Sequence, residues 1–221
     1  MKYELLGKDL PVVILTLEKG EKIITERGAM SWMDESVQMQ TNTGGAKKLF
    51  SRAFTGESIF QNIFTATKDG DKIAFASSFP GQILAYNVQE KPIIVQKRAF
   101  LAMESSVDMK IHFQKKLGAG LFGGEGFIMQ KFSGNGYIFL EIDGSLVEYD
   151  LEPNQTLILD TGYLAAMEDT VTMDIVTVKG VSNVLFGGEG LFNTKVTGPG
   201  KVWIQSMPIT KLAGLFNTNS K

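Results

Sequence analysis

The chain has no cysteine and a single histidine among its 221 residues. Without thiols there are no disulfides, no thiolate metal sites and no cysteine nucleophile. With His112 as the only imidazole, the usual zinc donor sets fall short, and a serine–histidine–carboxylate triad would have to use it. His112 lies between Lys110 and Gln114 on the polar side of an alternating segment, a solvated position. No serine occupies a nucleophile elbow. Net charge is only −2, from 22 basic and 24 acidic residues, so no global field steers the chain toward nucleic acid or anionic lipid. No apolar run is long enough to span a bilayer, and Glu4, Lys8 and Asp9 interrupt the N-terminus where a signal segment would need an apolar core. The expectation is a soluble, cytoplasmic chain with no cofactor.

Proline is scarce, at six residues, whereas glycine is abundant, at 24, a balance that suits many tight turns between short strands. What fills the chain is a motif written three times. Met33-Asp34-Glu35-Ser36-Val37-Gln38-Met39 returns as Met103-Glu104-Ser105-Ser106-Val107-Asp108-Met109 and as Met167-Glu168-Asp169-Thr170-Val171-Thr172-Met173. Recurrence at nearly constant spacing argues for three copies of one supersecondary unit. Upstream, Pro11–Leu17, Gly81–Val88 and Gly144–Leu151 each read as a strand followed by a polar turn. Downstream, Lys131–Leu140 matches Lys195–Ile204, with Lys68–Phe75 as the first copy's version, about two residues longer before its turn. Val107, Met109, Ile111 and Phe113 alternate with polar residues, the period of a half-buried strand, so the repeated methionines are expected in the core. The division predicted is 1–80, 81–147 and 148–221, three abutting β-modules placed about a pseudo-threefold axis.

A second repeated block contains the candidate sites. Phe54-Thr55-Gly56-Glu57-Ser58 corresponds to Phe122-Gly123-Gly124-Glu125-Gly126 and Phe186-Gly187-Gly188-Glu189-Gly190, preceded by Lys47, Lys115 and Lys179. Consecutive glycines (Gly123, Gly124, Gly126, Gly187, Gly188, Gly190) expose backbone N–H groups that suit an anion or small ligand. They lack the lysine–serine/threonine ending of a nucleotide loop, and the alternative reading is that glycine supplies positive φ at a corner. Glu57, Glu125 and Glu189 would form a site for a hard divalent cation if they converge on the axis; facing outward, each pairs with its local lysine. Lys47, Lys48 and Arg52, with Lys115 and Lys116, are the basic clusters an RNA-binding reading would need. Asp34-Glu35 and Glu168-Asp169 mark turns or strand edges, and nothing selects a carboxylate pair for a hydrolase.

The paired Leu-Phe-Gly-Gly-Glu-Gly loops, each followed by Gly-x-Gly and an apolar strand, resemble those of the family of the fungal altered-inheritance-of-mitochondria protein, over roughly residues 1–213. The first copy departs from the pattern with Thr55 and Ser58 in place of two glycines. The resemblance implies a TRAP-like fold, meaning β-sandwich modules similar to those of the tryptophan RNA-binding attenuation protein, grouped about a pseudo-threefold centre. The fungal member's link is to mitochondrial inner-membrane organisation, and no RNA- or tryptophan-binding residues carry over, because that likeness is one of fold.

At the C-terminus, Ile209, Leu212, Ala213 and Phe216 form a one-sided apolar stripe on a short helix begun near Pro208. Docking on the β-body or on a second subunit is the expected use, with a peripheral membrane contact as the alternative. The sequence therefore predicts an all-β protein of three tandem β-sandwich modules with a short C-terminal helix. Its expected role is non-enzymatic binding or scaffolding, as a homo-oligomer or with a protein partner. RNA or small-ligand binding between modules and a hydrolase without a nominated carboxylate pair are the alternatives.

Overall fold

The computed structural model describes residues 1–42, 61–115, 126–177, 192–209 and Lys211. Among them the chain is built almost wholly of strands. β1 (Lys2–Leu6), β2 (Val12–Leu17), β3 (Lys22–Glu26), β4 (Trp32–Met33), β5 (Gln38–Asn42), β6 (Gln61–Thr65) and β7 (Asp71–Ala76) come first. β8 (Gly81–Asn87), β9 (Ile93–Gln96), β10 (Phe100–Glu104), β11 (Val107–Lys115), β12 (Phe127–Gly134) and β13 (Tyr137–Asp143) follow. The last group is β14 (Leu146–Leu151), β15 (Thr156–Asp160), β16 (Leu164–Glu168), β17 (Thr172–Thr177), β18 (Phe192–Thr197) and β19 (Gly200–Gln205). Short 3₁₀ turns at Lys97–Ala99 and Thr161–Tyr163 lead into β10 and β16.

All strand pairs are antiparallel, and they make four sheets. Their orders are β1-β2-β7-β4, β5-β6-β3-β10-β13-β8, β11-β12-β9-β16-β19-β14 and β15-β18-β17. Neighbours in sequence pair as hairpins at β5·β6, β11·β12 and β17·β18. The turns after β2, β8 and β14 instead carry the chain onto a different sheet, and these strands pair with β7, β13 and β19. Two strand pairings join the thirds of the chain: β3 pairs with β10, and β9 pairs with β16.

The sheets stack, and three apolar cores lie between successive ones. Leu15, Phe64, Phe75 and Phe139 fill the first, Val95, Met103, Phe132 and Leu140 the second, and Ile94, Phe127, Met167 and Val202 the third. Side chains leave a strand alternately on opposite faces, so adjacent residues of a middle sheet enter different cores. Ile23 points into the first core and Ile24 into the second. Strands covered on both faces therefore read as unbroken apolar runs, such as the fully buried Ile93-Ile94-Val95. Strands with one solvated face keep strict alternation, as Val107 and Met109 do against exposed Asp108 and Lys110.

The repeated motif is the corner where the chain leaves one sheet for the next. Its valine is buried each time: Val37, Val107 and Val171 are 3%, 2% and 3% exposed. Each contributes about 1.5–3 kcal/mol by that burial. Its acidic residue satisfies a strand N–H beyond the corner. Asp34 Oδ2 accepts from Lys72 N–H at 2.8 Å, and Glu104 Oε2 accepts from Tyr137 N–H at 2.8 Å. The turn beside Glu104 requires glycine, because Gly136 has φ of +128° and a Cβ there would collide with the Glu104 carboxylate.

One sequence expectation needs correction. Met103, Met109 and Met167 are buried, but Met33 and Met173 are only half covered and Met39 is 50% exposed. Met39 follows the short β4, which is two residues long where β10 and β16 are five. The division at 147/148 falls inside β14, which begins at Leu146. Of the predicted C-terminal helix, Lys211 N–H donates to the Pro208 carbonyl at 2.9 Å, a first turn; Thr210 and residues from 212 onward lie outside the described residues.

Candidate functional site

The two joints between thirds of the chain show what a finished strand junction looks like here. At the first, Thr25, Ile24 and Ile23 of β3 stand opposite Ala102, Met103 and Glu104 of β10. At the second, Val95, Ile94 and Ile93 of β9 stand opposite Ala166, Met167 and Glu168 of β16. The central isoleucines are closed off, Ile24 at 4% and Ile94 at 0% exposure, and both alanines are at 0%. Aromatic rings seal the second joint from behind. Tyr86 of β8 meets Trp203 of β19 edge-on, with centroids 5.6 Å apart and planes at 78°. Burial pushes the Tyr86 hydroxyl up to about 12, with Glu168 adding to the shift. Trp203 Nε1–H donates to Glu148 at 2.8 Å, and Lys201 holds the other carboxylate oxygen at 2.6 Å. The Lys201 bond, joined by that from Trp203, keeps the Glu148 carboxyl below its ordinary value against the opposing effect of burial.

Two strand edges in the same register lack such a partner among the described residues. β15 pairs only with β18, and β4 pairs only with β7. Cross-strand pairing places Ile158 opposite Lys195, as Ile94 is opposite Lys131, and Trp32 opposite Ala74, as Ala166 is opposite Trp203. Ile158 thus occupies the position of Ile94 but is 60% exposed, and Trp32 occupies that of Ala166 but is 51% exposed. Tyr149 pairs with Val202 as Tyr86 pairs with Ile138, yet it is exposed and has no ring against it among the described residues. Val147, Tyr149 and Ile158 at one end, with Trp32 at the other, are large apolar groups left in water where their counterparts are covered. Sequence reasoning missed them. The available signal was an exchange of sizes: Trp32–Ala74 across two strands where the other copies have Ala102–Phe139 and Ala166–Trp203.

Most residues nominated from sequence, namely Glu57, Glu125, Glu189, Gly123, Gly124, Gly187, Gly188 and Gly190, lie outside the described residues, as do Lys47, Lys48, Arg52, Lys116 and Lys179. Gly126 is described and has φ of +80°, the left-handed conformation that favours glycine. Lys115 ends β11 and is exposed. His112 is exposed at an irregularity between Ile111 and Phe113; partial desolvation and then Lys131 hold its pKa below 6.5. Glu168 is buried against Lys91 at 3.0 Å, and Asp169 pairs with Lys131 at 3.0 Å. Among the described residues no group of three histidine or acidic side chains is placed to hold a metal ion, and no helix is long and apolar enough to cross a membrane.

One small pocket is polar, lined by Gln96, Arg98, Glu141, Asp143, Gln205 and Ile209, with room for about one water molecule. Its groups already serve the fold. Glu141 Oε1 gathers four donors from the connection before β8: Ser77 Oγ at 2.9 Å, Ser78 N at 2.6 Å, Ser78 Oγ at 2.8 Å and Phe79 N at 3.1 Å. Gln205 does the same work one connection later, accepting from Asp143 N–H at 3.1 Å and donating to the Gly162 carbonyl at 2.9 Å. Burial raises the Asp143 carboxyl, partly offset by the bond from Ile209 N–H at 2.8 Å. This is a clamp on the connections, with no free nucleophile.

Known proteins resemble this chain. An uncharacterised protein of Streptococcus pyogenes serotype M6 is 32% identical over 215 residues, spanning 92% of this chain and 84% of that one. The crystal structure of another Streptococcus pyogenes protein, from a structural genomics programme, superimposes with a TM-score of 0.81 at 26% identity and covers 98% of both chains. Residues 3–207 match the model of the family described as mitochondrial biogenesis AIM24, and the chain belongs to that family.

Proposed function

We propose that this chain is a non-enzymatic binding or scaffold protein that acts through protein–protein contacts at its open sheet ends. The observation that carries the reading is the exposure of Trp32 and Ile158 in positions whose counterparts are buried, and of Tyr149 where its counterpart Tyr86 is half-buried against a ring. Large apolar groups clustered at unpaired strand edges are the usual mark of an association surface. The same reading takes the chain as three TRAP-like β-sandwich modules of one design in tandem, each joined to the next by a strand junction. Recurrent pairing of β2·β7, β8·β13 and β14·β19, with the hairpins β5·β6, β11·β12 and β17·β18, supports that view.

The test is photo-crosslinking in cells, with a benzophenone amino acid placed at position 32, 149 or 158 and, as control, at exposed Lys19 in the turn after β2. Protein adducts are expected from the three end positions and not from the control. Adducts to nucleic acid alone, or none from any end position, overturn the reading.

A further inference from the structure

The two edges left unpaired among the described residues are the two halves of one junction. The second sheet runs β5-β6-β3-β10-β13-β8 and the third runs β11-β12-β9-β16-β19-β14. Each is a hairpin, a strand, then three strands from the next third of the chain. The fourth sheet, β17-β18-β15, is the first half of that pattern, and the first sheet supplies the second half, β4-β7-β2, with β1 added outside. Placed edge to edge, β15 and β4 complete a third sheet of the same kind.

We propose that the β15 edge of one molecule pairs with the β4 edge of a second copy of this chain, forming a head-to-tail assembly through the same strand junction used twice within the molecule. The inference rests on the reading of the open ends as an association surface and names its occupant. Register follows from the internal joints. As Ile24 faces Met103 and Ile94 faces Met167, Ile158 faces Met33 of the second copy; as Val95 faces Ala166, Leu159 faces Trp32. Tyr149 then takes the place of Tyr86 behind the joint, with Trp32 supplying the indole that Trp203 supplies inside the chain.

Three observations favour a second copy over another occupant. Matching is mutual, since one molecule carries both the donor and the acceptor half of a junction it has already made twice. The two edges do not meet within one chain, for β4 and β15 are not paired to each other and Trp32 and Ile158 remain in water. The β15 edge also carries few guards: Thr156-Leu157-Ile158-Leu159-Asp160 has no lysine, proline or irregularity of its own, and Lys211 reaches only its last residue, Asp160, at 2.7 Å, whereas β11 carries Lys110, Lys115 and a register shift. Natural sheets put such devices on edges that must stay single. Because each copy offers one edge of each kind, the contact is heterologous, and assembly grows by addition until a ring closes.

The absence of cysteine makes the test clean. Directly opposed residues on antiparallel strands lie about 4.5–5.5 Å apart at Cα, within disulfide reach. A Met33→Cys chain mixed with an Ile158→Cys chain is expected to give a covalent dimer on mild oxidation, and a Lys19→Cys chain mixed with Ile158→Cys is not. Sedimentation of the unmodified chain should show mass rising with concentration, at least tenfold weaker in Ile158→Asp with its thermal transition retained. A chain ending at residue 211 should associate as the full chain does. The proposal is overturned by a chain monomeric at every concentration, by equal crosslinking in the control, or by a doubly substituted chain that closes only on itself. A monomer that still gives adducts to other proteins at positions 32, 149 and 158 would sink this inference and leave the association surface standing.

Discussion

Ile94 and Ile158 hold the same register position on β9 and β15, and one is buried where the other is 60% exposed. Truncating each to alanine isolates what the strand junction contributes. Three carbons leave the core with Ile94→Ala, worth roughly 2.4 kcal/mol at about 0.8 kcal/mol each. A cavity term adds to this, because Ile94 lies among Phe127, Met129 and Met167, on strands that cannot readily collapse inward. The expected loss is about 3–4 kcal/mol, which for a chain of this size lowers the midpoint by roughly 6–16 °C. Ile158→Ala removes the same atoms from water and should stay within about 0.5 kcal/mol at protein concentrations too low for self-association. Urea denaturation followed by tryptophan fluorescence and by circular dichroism gives both values. Equal losses for the two variants, or a loss under about 1 kcal/mol for Ile94→Ala, would refute the register equivalence.

Other expectations follow from single residues. Gly136→Ala forces φ of +128° on an alanine and drives its Cβ into Glu104, so a loss of about 1–3 kcal/mol is expected in the same assay. Met109→Lys places an ammonium at a site 6% exposed and should cost about 3 kcal/mol or more; an unchanged thermal transition would show that Met109 does not point inward. The Asp71 carboxyl is held below 3.8 chiefly by the Ser36 hydroxyl, with the Lys68 and Thr67 N–H groups also lowering it against the effect of burial. Its folded pKa lies below the unfolded one, so its stabilising effect is present above about pH 4 and is lost as pH falls through the folded value. Asp71→Asn should be less stable near neutrality and show a flatter acid limb below about pH 4, read from denaturation midpoints across pH.

Strands with one wet face were legible because alternation is a local property, and Val107 to Phe113 displays it without help from the rest of the chain. The motif's recurrence and its acidic turn positions were legible too, but its place at the corner between sheets was not, because the buried valine, the carboxylate for a stray N–H and the nearby glycine meet only once the strands have paired. Partner choice was not legible. Nothing local in Ile23-Ile24-Thr25 says that its neighbour is Ala102 to Glu104 rather than the strand that follows it. Runs buried on both faces, such as Ile93-Ile94-Val95, also lose the period that would reveal how they lie. The open ends were hidden for a related reason. Trp32 and Ile158 are apolar like their buried counterparts, and beyond the exchange of sizes between Trp32 and Ala74 only the missing neighbour sets them apart.

The pairing of β3 with β10 has a consequence for the order of events during synthesis. Residues 22–26 leave the ribosome long before residues 100–104, and until those arrive one side of β3 has no strand to meet. β9 waits in the same way for β16. A nascent chain therefore carries a bare edge forward from each third to the next, and release from the ribosome hands on the last of these, at β15. Slow translation through the stretch before β10 or before β16 should prolong the interval in which polysome-bound chains clump, whereas pauses after β16 should have little effect.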